Sequence, residues 1–282
     1  MQSMISRLSI LLACVCLSAC QKAGFAALNA VTPADGAERI ASELFAPEQG
    51  LLLDVFRDAK VSAEARPVVV FFYGGSWQSG RREWYRFVGQ ALARAGYVAV
   101  IPDYRTYPRV KFPTFMDDAA TAVAYAQKRA ASWGGDPQQV YLMGHSAGAH
   151  IAVLLGLDQR YLKAAGSSAD SLRGVIGLSG PYDFLPLTDD KLKALFGEGE
   201  MLKRSQPINF VRTGAPTLLL IHGQDDSIAL PRNSERLAAQ QIALGSAVTL
   251  ELIEDQGHFG PLLDLRKKDS RVLAELAIWR AQ

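Results

Sequence analysis

The chain has 282 residues, 49% of them hydrophobic and 21% charged, enough apolar material for one sizeable core or two small ones. That composition excludes disordered and fibrous classes. Formal net charge is +2, and because Arg7 is the only charged side chain before Cys20, the remainder carries 29 basic against 28 acidic residues, a balance that points to no nucleic-acid partner.

The first segment reads as an export leader. Arg7 supplies a positive start, Leu8 to Leu17 an apolar run, and Leu17-Ser18-Ala19-Cys20 closes it. The run is too short to span a bilayer, which takes about 20 apolar residues. Its closing tetrapeptide resembles the lipobox of bacterial lipoproteins. The resemblance implies a signal peptide over residues 1–19, a lipid on Cys20 and a membrane partner reached through that N-terminal anchor, in the bacterial cell envelope. Gln21 stands where inner-membrane members of that class often carry Asp, which favours the periplasmic side of the outer membrane. A plain secretory cut after Ala19 is the alternative. All three cysteines (Cys14, Cys16, Cys20) lie at or before this point, so the rest of the chain offers no thiol, disulfide or Cys-based metal site.

Residues 20–48 are Ala-rich and weakly periodic, and are expected to form a tether followed by a helix or an irregular segment. From 49 to 282, strand-like and helix-like stretches alternate, the pattern of an α/β domain with a mostly parallel sheet and helices on both faces. The expected strands are Leu51 to Phe56, Pro67 to Tyr73, Tyr97 to Pro102, Val140 to Gly144, Gly174 to Ser179, Pro216 to His222 and Ala247 to Ile253, runs rich in β-branched residues. Several are apolar at every position, as strands buried on both faces are. Phe115, Ala119, Val123, Ala126 and Ala130 recur at helical spacing, and Gly134-Gly135 stops that helix. Residues 183–213 break the rhythm: about thirty residues separate two strands, long enough to suggest a lid or binding loop, or else a crossover helix with a frayed edge.

Gly144-His145-Ser146-Ala147-Gly148 follows the run Val140 to Met143 and precedes the helical stretch Ala149 to Leu155. A Gly-x-Ser-x-Gly turn between a strand and a helix presents its serine as a nucleophile, and side chains at the two glycines would collide in so sharp a turn. The helix N-terminus beneath it favours developing negative charge. A serine hydroxyl needs a base. Of the four histidines, His145 and His150 lie too close in sequence to reach Ser146 Oγ, and His222 opens an acidic loop that it is placed to shape. His258, in a glycine-flanked turn after the last strand, remains as general base and acid. The carboxylate that orients it belongs in the loop His222 to Asp226, between serine and histidine in chain order. Asp225 and Asp226 both qualify. Phe71-Phe72-Tyr73-Gly74-Gly75-Ser76-Trp77 ends a buried strand in two glycines that let backbone approach a ligand. The N–H groups of Gly75, Ser76 and Ala147 are therefore expected to form an oxyanion hole.

With these motifs, Pro102-Asp103-Tyr104-Arg105 and Ser179-Gly180-Pro181-Tyr182-Asp183, the chain resembles the hormone-sensitive-lipase-like and formamidase-like carboxylesterases of the α/β-hydrolase superfamily over about residues 50 to 280. The resemblance implies the α/β-hydrolase fold and cofactor-free hydrolysis of short- to medium-chain carboxylic esters by an acyl-enzyme. It favours Asp226 as the acid, by the group's spacing from the loop histidine. It also implies Asp103 and Arg105 as a structural pair and Trp77 and Tyr182 as pocket residues. The group usually begins its oxyanion motif with His where this chain has Tyr73. A formamidase or amidase, or a feruloyl or acetyl esterase, would use the same triad, and a hydrolase fold kept only for binding is the alternative of another class. An Asp at the elbow would have indicated dehalogenase or epoxide-hydrolase chemistry, and no His, Asp or Glu cluster shows metal-ligand spacing.

Overall fold

The computed structural model describes residues 23–60 and 64–281. Cys20 and the leader lie outside the described residues. A first helix, α1, covers 23–31. Eight strands then form one sheet: β1 (Ala37–Ala46), β2 (Leu51–Asp58), β3 (Arg66–Phe72), β4 (Val98–Pro102), β5 (Gly135–His145), β6 (Gly174–Leu178), β7 (Leu218–Gly223) and β8 (Val248–Ile253), in the order β1-β2-β4-β3-β5-β6-β7-β8. The pairs β1/β2 and β2/β4 are antiparallel and every other pair is parallel. This is the α/β-hydrolase architecture expected from the alternating pattern.

All seven expected strands are present. The eighth, β1, falls where a helix or irregular segment was expected. Its sequence carries Glu38, Arg39, Ser42 and Glu43, and two register shifts against β2 break its alternation. Charges and bulges are how an edge strand avoids pairing with another chain, and they also hide it from a reading based on period. The central strands are the opposite case: Val68, Val69, Val70, Phe71 and Phe72 of β3 have no exposed surface.

The sheet's direction of growth reverses at β3. The crossover from β3 through α2 (Arg86–Arg94) leads outward to β4, whereas those from β5 through α4 (Ala147–Leu157) to β6, and from β7 through α8 (Arg232–Ala243) to β8, run the other way. Right-handed crossovers therefore put α2 on one face and α4 and α8 on the other. The crevice between the carboxyl ends of β3 and β5 is a topological switch point, where sheets of this kind bind ligands. Between β6 and β7 the insertion folds as α6 (Asp190–Phe196), α7 (Gly199–Arg204) and a 3-10 turn (Pro207–Phe210). Phe196, fully buried, fastens it to Phe112, Phe115 and Trp77. Among the described residues no helix is long and apolar enough to cross a membrane.

Candidate active site

Ser146 sits between β5 and α4 with φ 55° and ψ −121°, a backbone state that costs energy for any residue with a side chain. The surrounding glycines are what allow it. A Cβ on Gly144 would lie 2.2 Å from the Gly148 carbonyl oxygen, and one on Gly148 would lie 2.0 Å from that of Phe72. The Ser146 N–H donates to the Leu178 carbonyl at 2.9 Å, tying the turn to β6.

His258, brought up by the turn after β8, has Nε2 at 2.9 Å from Ser146 Oγ and Nδ1 at 2.7 Å from Asp226 Oδ2. A carboxylate only accepts, so Nδ1 carries the proton and Nε2 keeps a lone pair for the serine hydroxyl. The geometry also separates the two adjacent aspartates. Asp226 is buried against the histidine, whereas the Asp225 side chain is exposed and its N–H donates to the Gln256 carbonyl at 2.9 Å.

Asp226 is saturated with donors. Oδ1 accepts from the N–H groups of Ile228 and Ala229 at 2.8 and 2.9 Å, and Oδ2 accepts from His258 and, at 3.1 Å, from His222 Nε2. Burial works against its charge, but the hydrogen bonds from His222, His258 and the Ile228 amide outweigh it and hold the carboxyl well below the usual carboxylate range. His222 Nε2 also donates to the Ala229 carbonyl at 2.6 Å, while Nδ1 accepts from Ser234 Oγ at 2.7 Å. The loop histidine thus positions the acid directly, a contact that its place beside the acidic pair hinted at without specifying.

The two histidines beside the serine are fully buried, and each is committed to a backbone carbonyl. His145 Nε2 donates to the His258 carbonyl at 2.9 Å, and His150 Nε2 to that of Ser205 at 2.7 Å. Burial pushes their pKa values down to about 3 and about 4, His145 being further opposed by His258, so both stay neutral. His150 Nδ1 accepts from the Trp77 indole N–H at 3.2 Å.

The β3 loop reaches the serine through Gly75 (φ 133°) and Ser76 (φ 51°), and a Cβ on Gly75 would lie 2.1 Å from the Ser79 carbonyl oxygen. The N–H groups of Gly75, Ser76 and Ala147 have no acceptor among the described residues. Tyr73, in place of the resembled group's histidine, braces this loop by stacking: its ring lies 4.6 Å from that of Tyr104 and 5.3 Å from that of Tyr85. Tyr104 Oη donates to the Tyr73 carbonyl at 2.7 Å.

Two cavities open on Ser146. One, of about 380 Å³, is bounded by Phe25, Trp84, Tyr85, His258 and Phe259; the other, of about 230 Å³, by Trp77, Pro181, Phe184, Leu187 and Leu192. Trp77 borders the smaller of the two. Tyr182 does not: it is fully buried, lines neither cavity and packs its phenol against Gly177 and Gly180. Asp103 and Arg105 are not a pair either. Asp103 binds Arg82, and Arg105 Nη2 binds Asp118 at 2.6 Å. Both residues follow the end of β4, where the 3-10 turn Arg82–Tyr85 brings Arg82 to Asp103 and α3 (Thr114–Arg129) brings Asp118 to Arg105.

The BD-FAE family model matches residues 53–241, more than half of the chain. The chain belongs to the BD-FAE family. It is 31% identical over 232 residues to a probable isoprenylcysteine alpha-carbonyl methylesterase of Oryza sativa, covering 75% of this chain and 55% of that one. It is 29% identical to esterase LipC of Mycobacterium tuberculosis over 78% of this chain and 60% of that protein. This BD-FAE chain thus spans between half and two thirds of the length of these curated relatives. Among solved structures, the thermophilic esterase Est2 of Thermogutta terrifontis superposes with a TM-score of 0.70 at 26% identity, over 87% of this chain and 91% of that one. Est2 has also been solved with butyrate bound and phosphonylated by sarin.

Proposed function

We propose that this BD-FAE protein is a serine carboxylesterase working through an acyl-enzyme, with Ser146 as nucleophile, His258 as general base and acid and Asp226 as the group that orients His258. The observation that carries the proposal is the relay itself: Ser146 Oγ lies 2.9 Å from His258 Nε2, whose Nδ1 lies 2.7 Å from Asp226, at the junction of two cavities.

His258 takes the Ser146 proton as Oγ attacks the ester carbonyl, and Asp226 stabilises the imidazolium that forms. The oxyanion is met by the free N–H groups of Gly75, Ser76 and Ala147, each such donor supplying about 3 kcal/mol of barrier lowering. Collapse of the tetrahedral intermediate passes the proton from His258 to the leaving alcohol. His258 then activates a water that releases the acid and restores Ser146. The fully assembled relay favours catalysis over a binding role.

Short to medium acyl chains are supported by the smaller cavity of about 230 Å³ and by the butyrate complex of Est2. Kinship with the hormone-sensitive-lipase-like and formamidase-like group rests on the motifs at Tyr73 to Trp77, Pro102 to Arg105 and Gly144 to Gly148. A lipid on Cys20 would tether the enzyme to the cell envelope.

Hydrolysis of p-nitrophenyl esters from acetate to laurate tests the proposal. Activity should be greatest on the shorter esters and vanish in Ser146→Ala. Asp226→Asn should lower kcat by about 10⁴-fold, whereas Asp225→Asn at the exposed neighbour should stay within about twofold. Equal activity of wild type and Ser146→Ala on every ester would refute the assignment.

A further inference from the structure

The two cavities differ in one group that matters chemically. Acyl transfer to Ser146 requires that the departing alcohol receive its proton from His258 Nε2, so the alcohol oxygen must leave on the side that His258 faces. His258 lines the cavity of about 380 Å³ and not the smaller one. On the serine-esterase assignment, the larger cavity receives the leaving group, and the smaller one, bounded by Trp77, Phe184 and Leu192, receives the acyl chain. Ile228 borders both.

One wall of the leaving-group cavity comes from outside the matched family region. Phe25 stands on α1, and its ring stacks on Trp84 at 5.6 Å with planes 13° apart and meets Tyr85 at 4.8 Å. The helix is held in place one turn further on. Asn29, on the same helix face by i,i+4 spacing, donates through Nδ2 to the carbonyls of Glu83 and Trp84 at 3.0 and 3.2 Å and accepts from the Phe87 N–H at 3.0 Å. Arg86 Nη2 donates to the Asn29 carbonyl at 3.0 Å, and Arg266 Nε to Thr32 Oγ1 at 3.1 Å. Four hydrogen bonds thus fix a helix of 23–31 against residues 83–87, a fifth ties down Thr32 just past its end, and Phe25 is the side chain that this clamp delivers to the cavity.

We propose that Phe25 is a specificity-determining residue, limiting the size of the alcohol that the site accepts, while acyl selection rests with Trp77, Phe184 and Leu192. Because Phe25 rests on the aromatic shelf of Trp84 and Tyr85 without touching the relay, its removal enlarges the cavity and leaves the reacting groups in position.

The test uses the full-length chain with its leader and two substrate series. In one, the acyl group is butyryl and the alcohol is ethyl, phenyl or 1-naphthyl; in the other, the alcohol is p-nitrophenol and the acyl group is acetyl, butyryl or octanoyl. Phe25→Ala is expected to raise the ratio of kcat/KM for the naphthyl over the ethyl ester by about tenfold, the scale of discrimination that apolar pocket contacts supply. The shape of the acyl series should be preserved. Phe25→Trp should move the alcohol ratio the opposite way, which keeps the proposal decidable if the alanine variant folds poorly. Leu192→Ala should do the converse, shifting preference toward octanoyl with the alcohol ratio unchanged. Phe25 variants that alter the acyl profile, or leave the alcohol ratio untouched while Ser146-dependent hydrolysis persists, overturn this proposal alone. Absence of Ser146-dependent hydrolysis in the wild type overturns it together with the esterase assignment.

Discussion

At the scale of single residues, the site depends on which protons are held and which are withheld. Four donors converge on the Asp226 carboxylate, so it stays ionised and fixes the His258 tautomer that a serine needs. His145 and His150 do the reverse service: each is buried neutral and spends its single N–H on a backbone carbonyl. Their pKa values, lowered from 6.5 to about 3 and about 4, make a stability prediction. Above pH 6.5 neither folded nor unfolded forms are charged and the linkage is silent. As pH falls below 6.5 the unfolded histidines take up protons that the folded ones refuse, and stability drops until the folded pKa is reached. The loss should approach about 1.4 kcal/mol per pH unit for each histidine. Urea unfolding between pH 7 and 4.5 would measure it, and His150→Gln should show a shallower decline than wild type.

At the scale of elements, the elbow works only because β3, β5 and α4 approach one another without side chains between them. Gly148 begins the first turn of α4 against the carbonyl of Phe72, the last residue of β3. Gly148→Ala should cost roughly 3 kcal/mol or more, since the atom in the way is backbone and cannot rotate aside. The midpoint in denaturant should fall, with ester hydrolysis lost alongside it. The loop after β3, proposed to hold the oxyanion, has a different support. Three tyrosine rings, Tyr73, Tyr85 and Tyr104, stack beneath it, so Tyr73 braces the loop with aromatic area and with a phenol that accepts from the Tyr104 N–H. The insertion at 183–213 is likewise a built element. Its α6 supplies Leu192 to the smaller cavity and anchors itself through Phe196.

At the scale of the whole molecule, the sheet's reversal at β3 puts the serine turn and the loop after β3 side by side, and the loops after β7 and β8 swing Asp226 and His258 over them. The proposed anchor would add an orientation to this arrangement. Phe25 is five residues beyond Cys20, a reach of at most about 18 Å of extended chain, so a lipid there would hold the leaving-group cavity close to a membrane surface. Cys20→Ala should move the protein from the membrane fraction to the soluble fraction on cell fractionation while hydrolysis of water-soluble esters stays within about twofold. Membrane association unchanged in that variant would count against the lipid anchor.

The strands, the elbow and the order of serine, acid and histidine were legible along the chain because each is local: apolar runs of five to seven residues mark strands buried on both faces, and a Gly-x-Ser-x-Gly turn announces its own steric needs. Tertiary structure alone decided what depends on neighbours far away in sequence. Asp226 rather than Asp225 meets His258 because the turn after Gly223 buries one carboxylate and exposes the other. Tyr182 is core because two glycines make room for its ring, and Asp103 and Arg105 part company because the 3-10 turn before α2 brings Arg82 to one and α3 brings Asp118 to the other. Edge strand β1 and the wall formed by Phe25 left no periodic signal, since a charged, bulged strand and a single aromatic on a short helix acquire their meaning only from the surfaces they cover.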